Sequence, residues 1–446
     1  MHVVIIGNGV SGISSARWIR KLSDHKITVI SSESKYFFSR TALMYVYMGH
    51  MQMSDIEVYE PEFWEKNRIE LIQDRVESIN YDGKELILQS ASPIHYDKLI
   101  LALGSSPNKF GWPGQDLDGV SGLYSLQDLD YVEEYSAGLE RAVVVGGGLI
   151  GIELAEMFNS RKIPTTMLVR ENAYWDNVLP KEEAEMISRH IRHHGIDLRL
   201  SVNLDEIIGD DNGRAKAVRI KETGETIDCG YVGLTAGVHP NVKFLRDSGL
   251  DIDRGILVDS QLRTNINGVY AVGDCVQLKQ PTEGRRAIEA VWYTGKMMGK
   301  VAAMNICGQE TSYDPGVWYN SAKFMDIEYQ VYGTVLPNPP EDHHSFYWED
   351  SVKERSIRIV FDASSKAVIG FNVLGVRFRH EVCEKWILNK THIDAVMEDL
   401  ELVNFDPEFY RSWGPSVVKK YNEDFDKNIK LNSRGSLNKV LKFLKL

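Results

Sequence analysis

The chain has 446 residues, too many for one hydrophobic core, so two or three domains are expected. Hydrophobic residues make up 43% and charged residues 26%, an ordinary soluble mixture. The formal charge of −12 argues against a general affinity for nucleic acid, whose phosphates would repel the chain.

The first element is an apolar strand, Val3-Val4-Ile5-Ile6, that runs directly into a glycine loop. It lacks the basic flank and longer apolar stretch of a signal peptide. No stretch approaches the roughly 18 apolar residues that span a bilayer. A cytoplasmic chain is expected. The loop is Gly7-Asn8-Gly9-Val10-Ser11-Gly12. Gly7 permits the tight turn, Gly9 lets backbone approach a pyrophosphate, and Gly12 lets the following helix pack on the strand. Residues 16–22 carry a helical pattern and residues 27–30 form a second strand. Glu33 follows it, placed to accept bonds from the hydroxyl pair of a ribose.

The pattern recurs at residues 141–151, too far away for a short solenoid repeat. Strand 142–145 leads into Gly146-Gly147-Gly148-Leu149-Ile150-Gly151, then Glu153 and a helix to 158, then strand 165–169. Strand-helix-strand units of this length imply a parallel sheet with right-handed crossovers. Two cradles in one chain can hold two dinucleotides, the arrangement of a hydride relay. Arg170 ends the second strand with Glu171 beside it. A guanidinium there suits a 2′-phosphate and so leans to NADPH, against the alternative of a water-facing strand end.

A third region begins near Tyr313. Runs 357–361 and 368–373 read as strands joined by a hairpin loop at Asp362-Ala363-Ser364-Ser365-Lys366, and 380–388 reads as helix. From Asp426 the chain turns basic, with Lys427, Lys430, Arg434, Lys439, Lys442 and Lys445. Leu437, Val440, Leu441 and Leu444 share one helical face, so a short basic amphipathic helix is expected. It could meet an acidic partner or an anionic membrane, or pack on its own domain. The cysteines Cys229, Cys275, Cys307 and Cys383 are scattered, so neither a thiolate metal site nor a close dithiol is encoded, and no metal is expected.

Three further segments accompany the two loops: Tyr96-Asp97-Lys98-Leu99-Ile100-Leu101-Ala102-Leu103-Gly104, the run from Val232 to Asn241 through Gly237, and Gly268-Val269-Tyr270-Ala271-Val272-Gly273-Asp274. Together they resemble the pyridine nucleotide-disulfide oxidoreductase superfamily up to about residue 310. The resemblance implies α/β architecture: two Rossmann-like domains, for FAD and NAD(P), and a C-terminal α+β domain. The expected division is FAD domain 1–111 and 238–312, NAD(P) domain 112–237, and C-terminal domain 313–446. It implies FAD contacts at Gly7, Gly9, Gly12, Glu33, Arg40, Val76, Ala102, Gly104, Gly237, Gly273, Asp274 and Trp292, with Asp274 on the ribityl chain. Gly146, Gly148, Ile150, Gly151, Glu153 and Arg170 are the corresponding NAD(P) residues.

No cysteine precedes Cys229, which excludes the dithiol branch. Single-cysteine relatives place a nucleophile within a segment resembling residues 36–49, and its position is matched by Ala42, so a thiolate relay cannot operate. Phe38-Ser39-Arg40-Thr41-Ala42-Leu43 resembles the arginine-containing turn of ferredoxin and rubredoxin reductases and of nitrite reductase large subunits. That likeness puts Arg40 beside the flavin, while Tyr45 stands where many relatives carry a lysine that pairs with the position of Glu153. Residues 289–299, with Trp292, resemble a helix whose N-terminus points at the flavin carbonyls. The aromatics of Trp318-Tyr319 fall near the flavin edge in relatives, or serve core packing. Arg40, Glu153 and Trp292 are the expected catalytic residues. The expected activity is hydride transfer from NAD(P)H to FAD, then electron delivery to a small redox protein of ferredoxin or rubredoxin type. A peripheral-membrane NADH:quinone reductase and a low-turnover flavin sensor stay open.

Overall fold

The computed structural model describes residues 1–405 and 413–432. Its chain divides into two compact units. The first comprises Met1–Gly146, Met157–Thr165 and Leu204–Pro315, and the second Gly147–Glu156, Thr166–Asn203 and Gly316–Leu446.

The first unit is built on a parallel five-stranded sheet in the order Val269–Ala271, Lys98–Leu101, His2–Ile6, Lys26–Ser31, Ile69–Gln73. Ile5 stands opposite Val29 on one side and Ile100 on the other. Val3, Val4, Ile5, Leu99 and Ile100 are fully buried, as expected for strands covered on both faces, which read as continuous apolar runs. The helix Val10–Leu22 follows the first strand, and its face Ile13, Ala16, Ile19 is buried. The helix Trp292–Ile306 packs along it. This crossing needs glycine, since a Cβ on Gly299 would lie 2.4 Å from the Ser11 carbonyl oxygen. Within the same unit Ala142–Val145 pairs in parallel with Tyr231–Leu234, which pairs with Val120–Ser121. Ser105–Pro107 and Val238–Pro240 form an antiparallel pair.

The second unit carries the parallel pair Thr165–Val169 and Asp197–Leu200 with the helix Lys181–His193. It also holds an antiparallel sheet in the order Tyr319–Phe324, Ile327–Gly333, Val368–Leu374, Ser356–Asp362, His343–Glu349. The helices His380–Leu388, Ile393–Glu398 and Gly414–Phe425 supply Trp386, Val396 and Tyr421 to its apolar core. The hairpin expected at 362–366 forms. The Asp362 carboxylate accepts from the backbone and hydroxyl of Ser365 at 2.7 and 2.6 Å, and Lys366 takes φ 59° to close the turn. The expected amphipathic helix over Leu437 to Leu444 lies outside the described residues.

One buried ion pair holds the helix Lys181–His193 to this antiparallel sheet. Arg358 grips Glu183 bidentately at 2.7 and 2.8 Å, and also meets Glu182 at 2.7 Å and the Ser345 hydroxyl at 2.8 Å. Glu183 is fully buried, and burial pushes its carboxyl above the usual range although the guanidinium pulls the other way. Removing one partner leaves an uncompensated buried charge. Arg358→Met should therefore cost roughly 3–5 kcal/mol, read as a fall in the urea midpoint, and adding Glu183→Leu should recover most of it. A double variant no more stable than the single would show that packing, not the stranded carboxylate, sets the cost.

Candidate functional site

The first glycine loop is shaped by contacts that leave no room for side chains. Gly7 has φ 107°, and a Cβ there would lie 2.1 Å from the Ala102 carbonyl oxygen. A Cβ on Gly12 would lie 2.0 Å from the Gly7 oxygen. Gly9 differs: a Cβ there meets no described atom within 4 Å, so its surface is open. It is also the N-cap of Val10–Leu22 and makes no side-chain capping bond. The first-turn N–H groups and the positive end of the helix dipole therefore face that opening, as an anion site requires.

Glu33 lies at the end of the second strand and is already engaged. Arg40 pairs with it at 2.8 and 2.5 Å, the Leu126 N–H donates to it at 2.9 Å, and Arg40 also donates to the Tyr124 carbonyl. The guanidinium lies over the Phe38 and Tyr124 rings. Burial opposes its charge, but the pair with Glu33 outweighs burial and holds its pKa above the ordinary value. Arg40 is thus brought to Glu33, the carboxylate expected to meet a ribose. Tyr124, which no motif singled out, is a hub here: its hydroxyl accepts from the Ser105 N–H at 2.9 Å. An isolated tyrosine in the loop between the strand Val120–Ser121 and the helix Leu126–Ser136 carries no spacing signal.

Asp274 is half-buried, and burial pushes its carboxyl above the usual range. The Ser105 hydroxyl donates to it at 3.2 Å. Gly273 precedes it at φ 80°, with its Cα side against the Ser11 hydroxyl. Gly104 and Gly237 also take positive φ, 66° and 85°. Val76 opens the strand Val76–Asn80 and is buried. Trp292 begins the long helix and stacks with Phe37 at 6.0 Å. The expected helix start at 289 is corrected to 292, since Val291 is extended. Glu289 instead pairs with Arg285 through two 2.7 Å bonds, with side chains only 4% and 8% exposed. That pair lies ahead of the helix, where i,i+4 spacing carries no pairing signal.

In the second loop Gly146 has φ 125°, and a Cβ there would meet the Thr235 carbonyl oxygen at 2.6 Å. In the second unit the Tyr174 hydroxyl donates to the Gly148 carbonyl at 2.6 Å. A Cβ on Gly148 meets no described atom within 4 Å. Ile150 and Gly151 lie in the first turn of Leu149–Ser160. Arg170 is 73% exposed and its guanidinium is held by Glu171 at 2.7 Å. Glu171 is only 16% exposed, and its carboxylate is 3.6 Å from where a Gly147 Cβ would stand.

Glu153 has its carboxyl pushed up to about 7 by burial, then by the like charge of Glu156, against a smaller opposing effect of Lys323. Lys323 pairs with Glu156 at 2.6 Å, so a lysine reaches this helix from the strand Tyr319–Phe324. Tyr45 instead stacks on His50. Tyr319 packs against His380 with the rings tilted at 58° and centroids 4.3 Å apart, the packing alternative for that aromatic.

None of the cysteines is poised as a nucleophile. Cys275 and Cys229 are pushed up to about 12 by burial, and Cys307 and Cys383 are raised for the same reason. Ala42 ends a short 3-10 turn, Arg40–Ala42. Among the described residues no helix is long and apolar enough to cross a membrane. The residues fit a flavin dinucleotide: an open glycine with an uncapped helix end for the pyrophosphate, a carboxylate for the ribose, and a half-buried Asp274 with hydroxyl-bonding capacity left.

The sequence pattern of the pyridine nucleotide-disulphide oxidoreductases matches residues 1–299. An NADH oxidase of Methanocaldococcus jannaschii is 29% identical over 355 residues, 75% of this chain and 76% of that protein. An NADH-rubredoxin oxidoreductase of Clostridium acetobutylicum is 27% identical over 405 residues, 89% of this chain and 99% of that one. The crystal structure of a ferredoxin reductase from Rhodopseudomonas palustris, 24% identical, superposes with a TM-score of 0.76 over 84% of this chain and 91% of its own, which shows a shared fold.

Glu153 gives a pH test. Its folded pKa of about 7 lies above the ordinary 4.5, so the native state holds the proton more tightly than the unfolded chain. The associated stability is fully present below the unfolded value and is lost as pH rises through the folded one. Glu153→Gln should therefore gain stability relative to the parent from about 4.5 up to about 7 and hold that gain above, in urea midpoints measured across the window. A constant difference at all pH values would mean that Glu153 titrates normally.

Proposed function

The chain belongs to the pyridine nucleotide-disulphide oxidoreductase family, and on that premise we propose that it delivers electrons from NAD(P)H, by way of FAD, to a small redox protein of ferredoxin or rubredoxin type. It is an FAD-dependent NAD(P)H oxidoreductase with Rossmann-type nucleotide-binding folds. The acceptor is the proposal. The observation that carries it is the lack of a thiol relay: no cysteine precedes Cys229, and burial raises the pKa of all four cysteines. With no cysteine to pass electrons on, they leave the flavin directly. The clostridial relative named for rubredoxin aligns over 99% of its length, which supports the same class of acceptor.

When bound, FAD accepts hydride and can release electrons one at a time; the chain supplies position and charge. Gly7, Gly9 and Gly12 would receive the FAD pyrophosphate on the helix Val10–Leu22, and Glu33 its ribose. Ser105 and Asp274 would hold the ribityl hydroxyls, while Ala102, Gly104, Val76, Gly237 and Gly273 give backbone access. The N-terminus at Trp292 would favour negative charge on the ring carbonyls. Arg40, bound to Glu33, would keep that carboxylate aimed, which adds to the role expected for it beside the flavin. Gly146, Gly148, Ile150 and Gly151 would receive the NAD(P)H pyrophosphate, with Glu153 nearby on the same helix. The three-domain division, with 112–237 for NAD(P)H, is retained as part of this proposal.

Reduced enzyme mixed with a rubredoxin, a ferredoxin, or quinone in anionic vesicles tests the acceptor. Reoxidation by one of the redox proteins should be at least ~10-fold faster than by the quinone and should slow as salt screens the encounter. Faster reoxidation by vesicle quinone would sink the proposal, and slow reoxidation by all three would favour the sensor reading. For the coenzyme, Arg170 would face a 2′-phosphate and Glu171 a 2′-hydroxyl. Arg170→Ala should lower kcat/KM for NADPH by ~10-fold, about 1.4 kcal/mol, and leave NADH nearly unchanged. Equal losses with both coenzymes would remove Arg170 from the 2′ position.

A further inference from the structure

Four residues that the flavin chemistry does not use meet in the second unit. His190 and His194 are one turn apart at the C-terminal end of the helix Lys181–His193, so they share a face. Asp326 is the second residue of a two-residue turn between Tyr319–Phe324 and Ile327–Gly333, where Phe324 pairs with Ile327 and Met325 has φ 56°. That tight turn presents the Asp326 carboxylate to the helix. Its Oδ1 lies 2.6 Å from His190 Nε2 and 3.1 Å from His194 Nε2, and the two Nε2 atoms are 3.2 Å apart. On the other side of the His190 ring, Nδ1 is 2.9 Å from Glu354 Oε2. Glu354 also reaches His193 Nδ1 at 3.3 Å.

His190 is 2% exposed, so its Nε2 is closed off from water and faces the Asp326 oxygen and His194 Nε2. A metal ion at the centre of the three atoms takes a lone pair from each. Ligands at about 2.0–2.2 Å on a tetrahedral zinc stand roughly 3.3 Å apart. Two of the three edges are already within a few tenths of that value. The 74% exposed Asp326 can swing outward to open the third.

We propose that His190, His194 and Asp326 bind one divalent transition-metal ion of the zinc class, with Glu354 orienting His190 from behind and a fourth position facing solvent. Two imidazoles and one carboxylate select zinc, cobalt, nickel or copper over magnesium or calcium, which prefer all-oxygen shells. A carboxylate behind a ligating histidine is the arrangement that fixes its ring and raises its basicity. The ion would tie the end of a helix to a hairpin turn far away in sequence and so stabilise this unit, without taking part in electron transfer.

The test uses full-length, FAD-loaded enzyme stripped of metal with a chelator. Cobalt(II) is the probe, followed beyond the flavin absorption band and displaced by zinc. One equivalent should bind saturably and raise the Tm. His194→Ala and Asp326→Asn, at partly or largely exposed side chains, should each weaken cobalt binding at least ~100-fold and abolish the Tm rise, while Glu354→Gln should weaken it ~10–100-fold. Unchanged FAD content in each variant shows that it has folded. Absence of saturable one-to-one binding, or parent-like cobalt affinity in His194→Ala and Asp326→Asn, would overturn the proposal.

Discussion

Backbone lies directly on backbone where the first glycine loop, its helix and the neighbouring strand meet. The Gly7–Ala102, Gly12–Gly7 and Gly299–Ser11 approaches leave no space for a Cβ. A methyl group at any of them would push the helix Val10–Leu22 off the sheet, and the helix end would no longer face the opening at Gly9. The same contact brings Gly273 and Gly295 against the Ser11 hydroxyl, so the residue before Asp274 and the start of the long helix are positioned from one point. Close packing is what converts a generic helix dipole into a fixed anion site.

Four acidic residues fall into two groups. Glu33 and Glu289 are each gripped by an arginine through two bonds, so their charges are compensated inside the protein. Asp274 receives a single serine hydroxyl, and Glu153 sits beside another carboxylate. Burial raises the pKa of both. The first group holds structure in place whether or not a ligand is present. The second carries unspent bonding capacity, which is where a ribityl hydroxyl or a nicotinamide coenzyme would find partners.

The missing thiol shapes the chemistry as strongly as the residues present. No cysteine precedes Cys229. The chain's own cysteines serve as small apolar packing groups, raised in pKa by burial. On the proposed function, electrons have no covalent intermediate to occupy between flavin and acceptor, and surface recognition would select the acceptor.

Local constraints were legible in the sequence. Gly7, Gly9 and Gly12, the apolar strands beside them, the hairpin at Asp362–Lys366 and the helix His380–Leu388 all follow from backbone demands and short periodicities. Those are written within a few neighbouring residues. Motif order along the chain also carried the family. The partners of individual side chains were not legible. Arg40 was expected at a flavin and is bound to Glu33; Tyr124 had no signal at all; Arg358 meets Glu183, and Asp326 meets His190, across more than a hundred residues of sequence. Such meetings depend on how whole elements pack, and many packings are compatible with the same local pattern. The sequence by itself determined the two glycine loops and the absence of any cysteine before Cys229, because glycine spacing and a missing sulfur are local facts. Only the tertiary structure decided which buried charges are paired and which are left to act, because that is settled by side chains brought together from distant segments.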